Sequence, residues 1–297
     1  MAKQSIRNII VLENERTGEI SKKVNELGNW KFFKVIYNNS MFQILGLNLL
    51  MLLCLAPAVY FYLQYNSTVY SWGQALPFAN SLGIGYNPWL DVGEFSTQVT
   101  TAAKDLMYLR LLPCFLLLSV AFSGSYACLR DSYWTGELHL FKPFFRGIAQ
   151  TIPYSLVLTA VLGGGIFGMH ALQSVLTALP HWLSIIINIV LWVVLALIAI
   201  YGFLVLAIAA VYKQSPATNL KTAWHLMWSF FLSHVVYFAG SLLPFVLLFV
   251  TSSLLQSVVL AVFVLFGMFC VSFIWMIHMM RIFALFHPVS RKKVKNQ

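Results

Sequence analysis

Residues 110–130 read RLLPCFLLLSVAFSGSYACLR. The 19 residues between Arg110 and Arg130 carry no formal charge, and at about 1.5 Å of rise per residue they match a hydrocarbon core roughly 30 Å thick. This stretch predicts one membrane-spanning helix. Sixty-six uncharged residues separate Arg146 from Lys213, and 59 separate Lys221 from Arg281. Each gap is about twice the length of one crossing. Both predict helical hairpins, with polar, turn-prone breaks at Thr177–His181 around Pro180 and at Thr251–Ser253. A further apolar span opens at Met41 and closes near Tyr62. The expectation is an all-α polytopic membrane protein with six helices near 41–63, 107–129, 151–175, 183–212, 229–250 and 253–280, arranged as three hairpins.

Composition agrees with that reading. Of 297 residues, 60% are hydrophobic and only 9% charged, where soluble domains carry roughly 25% charge. The mean hydropathy is +0.78. These values exclude a disordered chain, a disulfide-built secreted module and a nucleic-acid-binding domain. The net charge of +10 is therefore read through its placement. With the N-terminus inside, 17 of the 19 basic residues fall in the N-terminal segment, loops 2–3 and 4–5 and the tail, leaving Lys104 and Arg110 outside. Six acids share the inner face and three the outer, so the faces carry +11 and −1. Lys and Arg accumulate on the cytoplasmic side of short loops, which places both termini in the cytoplasm and the protein in the cell inner (plasma) membrane.

Three regions follow: a cytoplasmic N-terminal segment over 1–40, a transmembrane domain over 41–282 with an outer loop at 64–106, and a basic cytoplasmic tail over 283–297. The first 30 residues are charged and lack an apolar core, so the first span is expected to serve as its own insertion signal. Cys54, Cys114, Cys128 and Cys270 lie in or beside apolar segments and are expected to be free thiols. Three aromatic and basic stretches lead into outward spans: Asn29–Tyr37, Leu138–Gly147 and Asn219–Phe230. Such a mix suits short interfacial helices that bind anionic lipid at the cytoplasmic face, or plain juxtamembrane anchoring.

Residues suited to intramembrane chemistry are scarce. No Asp or Glu lies inside a predicted span, although intramembrane mechanisms rely on such groups. No hydrolase elbow, phosphate-binding loop, dinucleotide fingerprint or metal-ligand spacing is present, so the expectation is no catalytic residue, no cofactor and no metal. His234, inside the fifth span, is expected to make an interhelical polar contact. Small residues recur every four positions at Ser119, Ser123 and Ala127, and again at Ala160, Gly164 and Gly168. Both sets are candidate faces on which helix backbones approach closely. Pro244 is expected to kink the fifth span. In the outer loop, Tyr70, Trp72, Tyr86 and Trp89 are candidate sugar contacts, since aromatic faces stack on sugar rings; an interfacial aromatic belt is the simpler explanation of them.

Gly124-Ser125-Tyr126-Ala127-Cys128-Leu129-Arg130, followed by Phe144-Phe145-Arg146-Gly147 at the entry to the next span, resembles the YesL-like family of bacterial integral membrane proteins. The likeness extends loosely over roughly residues 30–250. It implies an accessory component associated with carbohydrate uptake beside sugar ABC importers, and it carries no catalytic residues. The expected function is therefore a non-enzymatic partner of an importer's permease and ATPase, embedded in the lipid bilayer and without a nucleic-acid partner. One rival is a stand-alone channel or facilitator for a small polar solute, with a polar stripe through Asn188, His234, Ser119 and Ser123. An intramembrane enzyme acting on a lipid-linked substrate ranks lower, because no nucleophile and base stand out.

Overall fold

The computed structural model describes residues 29–82, 92–176, 179–212, 214–248 and 253–286. Within them the chain is all-α: α1 (Asn29–Leu82), α2 (Val92–Thr135), α3 (Phe141–Leu176), α4 (His181–Val211), α5 (Pro216–Ser229), α6 (Phe231–Leu247), α7 (Ser253–Val262), a π-helical segment (Phe263–Gly267) and α8 (Met268–Phe286). Five stretches are long and apolar enough to cross a membrane: Trp30–Tyr70, Thr100–Tyr133, Phe141–Leu172, His181–Val211 and Leu255–Leu285. The bent pair α5 and α6 makes a sixth when taken as one span. The chain is a multi-pass membrane protein.

The helices outrun the sequence ruler. Charge-free gaps measure only the part that must lie in hydrocarbon, whereas α1, α2 and α3 continue past it for 54, 44 and 36 residues in all. The aromatic and basic entries differ among themselves. The first is marked off by a break inside α1 at Ser40, whose φ of −147° and ψ of 36° are not helical. The second starts in the connector at Leu138 and continues from Phe141 as the opening turns of α3. The third is a separate helix, α5, which meets α6 at 96°. That turn falls at Phe230, the residue between α5 and α6 with φ −127° and ψ 28°. Pro244 lies within the continuous helix α6, so the sharp bend of this span is at its entry and not at the proline. Of the two hairpin breaks, α3 and α4 are separated at Leu176 and His181, while residues 251 and 252 of the other lie outside the described residues.

Two compact units divide the chain. One contains the described residues up to Leu52, Val120–Ser155 and those from Ala196 onward; the other contains Leu53–Ser119 and Leu156–Leu195. The first holds a dense core. Ile36, Ile44, Leu47 and Met51 from α1, Tyr126 from α2, Leu204 and Ile208 from α4, and Met268, Phe269 and Trp275 from α8 are buried. Phe273 stacks on Phe32 at 6.1 Å and meets Phe33 edge-on at 5.4 Å, while Phe269 lies tilted against Phe33 and Phe273 at 6.4 and 5.4 Å, separations favourable to aromatic pairs. In the second unit, large apolar side chains face outward along α4, among them Trp182, Ile185, Ile189, Trp192 and Val193. Lipid tails are as apolar as these side chains, so a membrane helix need not hide them.

Candidate functional site

The most elaborate local structure joins α2 to α3. Gly136 stops α2 with a φ of +76°, a conformation that costs a residue with a Cβ about 1–2 kcal/mol, and its N–H still reaches the Ser132 carbonyl at 2.8 Å. The break in α1 then clamps the connector. Asn39 Nδ2 donates to the Gly136 carbonyl at 3.2 Å, and the Leu138 N–H donates to Ser40 Oγ at 2.9 Å. Two side chains at the break, Asn39 and Ser40, thus hold the backbone of residues 136 and 138. Cys128 Sγ contacts the Leu140 carbonyl at 3.4 Å, and Gly46 lets α1 approach the Leu140 side chain, which a Cβ there would meet at 2.9 Å.

This clamp shapes an open groove of about 770 Å³, lined by residues that include Phe42, Gln43, Asp131, His139, Lys142 and Arg146. Asp131 is its carboxylate, and it is already engaged: Arg130 Nη2 lies 2.6 Å and Nε 2.7 Å from Asp131 Oδ1. Arg130 Nη1 also donates to the Ala210 carbonyl at 2.6 Å, in the last turn of α4, where a cation satisfies otherwise orphaned carbonyls. Lys142, Arg146 and His139 are exposed.

The two stretches that resemble the YesL-like motif meet at two close approaches. A Cβ on Gly124 would lie 2.6 Å from the Phe144 ring, and one on Gly147 would lie 2.5 Å from Ala127 Cβ and 2.8 Å from the Ser123 carbonyl. In the same unit the hydroxyls of Ser123 and Ser155 are 3.2 Å apart. In the other unit those of Ser119 and Thr159 are 3.3 Å apart, and a Cβ on Gly163 would lie 2.2 Å from Leu112. Ser119 and Ser123 therefore face α3 across a run at 147, 155, 159 and 163. Here the register differs from the expectation by one residue. Ala160 and Gly164 are exposed and Gly168 is half-buried, with open space in front of both glycines. The physical reason is that both runs repeat every four residues, so periodicity alone does not choose between them.

His234 is fully buried in α6. Its Nε2 is 3.2 Å from the Leu226 carbonyl, across the 96° bend, and its Nδ1 is 3.1 Å from His278 Nε2 on α8. A carbonyl only accepts, so the neutral His234 carries its proton on Nε2, leaving Nδ1 to accept from His278 Nε2–H. Tyr237 stacks on His278 with ring centroids 4.1 Å apart. Asn48 was not singled out from sequence, Gly147 entered only as part of a quoted motif, and His278 was noted without a partner. Asn48, one amide in the apolar run LNLLML, and Gly147, in step with Thr151 and Ser155, carried a readable signal; the His234–His278 pairing, 44 residues apart, did not.

Other expected positions sit apart from these contacts. Tyr70 is exposed on α1. Trp72 falls within α1, but its side chain lies outside the described residues, as do Tyr86 and Trp89 altogether. Asn188 donates to the Ser184 carbonyl of its own helix at 3.0 Å. Asp105 meets His170 at 2.7 Å, and Arg110 donates to Gln64 at 2.8 Å. All four cysteines are free. Among the described residues no three His, Cys, Asp or Glu side chains form a metal-ligand group. Comparison with protein-family models, curated proteins and solved structures found no match to this chain.

Proposed function

We propose that this chain is a non-enzymatic accessory subunit of a carbohydrate ABC importer in the bacterial inner membrane, with both termini in the cytoplasm. The observation that carries the subunit reading is the division of α3 into two small-residue runs. The run at 147, 155, 159 and 163 faces α2 within the chain. The run at Ala160, Gly164 and Gly168 faces outward with open space before its glycines, the kind of surface on which a second transmembrane helix packs closely. The importer reading rests on the resemblance of Gly124–Arg130 and Phe144–Gly147 to YesL-like proteins. The orientation rests on the excess of Lys and Arg at one end.

The test is co-purification of the full chain after mild detergent extraction from its own membrane, together with sugar uptake in a deletion strain. A permease or ATPase partner, released by Gly164→Leu/Gly168→Leu in a chain that remains monodisperse, supports the proposal. Normal uptake after deletion, with no transporter subunit retained, overturns it.

A further inference from the structure

Lys142 and Arg146 stand one helical turn apart at the start of α3, exposed at the rim of the groove beside His139 and Gln43. Neither has a hydrogen-bond or ion-pair partner among the described residues, while the groove's carboxylate, Asp131, is held by Arg130. The net surplus in the groove is therefore positive. Its level in the membrane follows from the spans. One ends at Tyr133 and the next begins at Phe141, so the groove lies between two helix ends. The 32-residue span Phe141–Leu172 rises about 48 Å against a hydrocarbon core of roughly 30 Å, which puts its first turn at headgroup depth. Phe42, Phe141 and Phe145, all exposed, supply the aromatic surface that favours this boundary.

We infer that this groove binds the phosphate headgroup of an anionic phospholipid. Lys142 and Arg146 meet the phosphate, Gln43 and His139 supply hydrogen bonds to the headgroup, and Phe42 and Phe141 lie along the first acyl carbons. The lipid is preferred to a soluble phosphate compound because aromatic rings left exposed at the groove's rim gain contact only from an apolar chain attached to the anion. The Asn39 and Ser40 clamp pre-forms the groove, so little ordering cost falls on binding. This inference stands whether or not the chain serves an importer.

The experiment is native mass spectrometry of the full chain from detergent micelles doped with phosphatidylglycerol or phosphatidylcholine, with a third arm containing inorganic phosphate. The wild type is expected to retain phosphatidylglycerol in preference to phosphatidylcholine. Lys142→Gln/Arg146→Gln is expected to weaken that retention about thirtyfold, at about fivefold per cation. Phe42→Ser/Phe141→Ser is expected to weaken phosphatidylglycerol retention while leaving the charge unchanged. Both double variants alter exposed side chains, and an unchanged melting temperature in phosphatidylcholine verifies their fold. Equal retention of the two lipids, or no loss in the Lys142/Arg146 variant, overturns the inference. Displacement of phosphatidylglycerol by inorganic phosphate at similar concentration, with no effect of the Phe42/Phe141 variant, overturns it in favour of a soluble phosphate ligand.

Discussion

Asn48 Oδ1 accepts the backbone N–H of Phe269 at 3.0 Å, while Asn48 Nδ2 donates to the Val264 carbonyl at 2.6 Å. Val264 lies inside the π-helical segment Phe263–Gly267 and Phe269, five residues on, lies just beyond its end. A side chain from α1 thus bridges a carbonyl and an amide at a turn where the ordinary helical ladder is interrupted. Asn48 is fully buried, and Val264 and Phe269 lie within the apolar span Leu255–Leu285, where hydrocarbon offers a backbone group no alternative partner. Asn48→Leu is expected to leave both unpaired, at about 1–3 kcal/mol each. Asn48→Asp loses the donor and sets a carboxylate against the Val264 carbonyl, and should be no better tolerated. Thermal melting in detergent checks both; wild-type stability of Asn48→Leu would show that the bridge contributes nothing.

Two glycine sets on one helix are expected to respond in opposite ways. Gly147→Val drives side-chain atoms into the Ser123 carbonyl and Ala127 Cβ, and a backbone atom cannot step aside as a flexible side chain does. A loss of about 1–3 kcal/mol is expected, the usual cost of overpacking. Gly164→Ala and Gly168→Ala meet open space and replace glycine in a helix interior, a change worth up to about 1 kcal/mol in favour of the helix. Melting temperatures of the three variants, compared in one detergent, decide the register.

The His278, His234 and Leu226 chain ties α8 to both limbs of the bent span. Removing either ring strands the other's buried polar atom, so His234→Phe and His278→Phe are each expected to cost about 1–3 kcal/mol. The double variant should cost less than the two singles together, since the contact is lost only once. Backbone amides around Phe230–His234 should exchange faster in each single variant. A strictly additive cycle would show that the two rings act independently.

Orientation is open to direct mapping. A reporter fused after Gln297, and another before Met1, should both report the cytoplasm. A single cysteine placed at Tyr70, on the opposite side of the first span, should label from outside in intact cells. An extracytoplasmic signal from either terminus would reverse the assignment of faces.

The transmembrane character, the helical class and the hairpin break at Pro180 were legible because each depends on a local property. A charge-free run of sufficient length has favourable transfer into hydrocarbon whatever its neighbours do. The same reasoning misplaced helix ends, since nothing in the 30 Å criterion stops α1 or α2 at the membrane edge. It also gave no notice of the 96° bend at Phe230, where His234 reaches back to Leu226.

By itself, then, the sequence determined that this chain is a helical, multi-pass membrane protein and concentrated its basic residues at one end of the expected spans. Only the tertiary structure decided that α3 meets α2 through Gly147, Ser155, Thr159 and Gly163 and not through Gly164, that Asn48 bridges the π-helical turn, and that Lys142 and Arg146 share a groove. In a membrane both sides of a helix are apolar, so hydrophobic periodicity no longer marks the interior. The choice passes to hydrogen bonds and close backbone contacts between residues far apart in the chain, which no local pattern records.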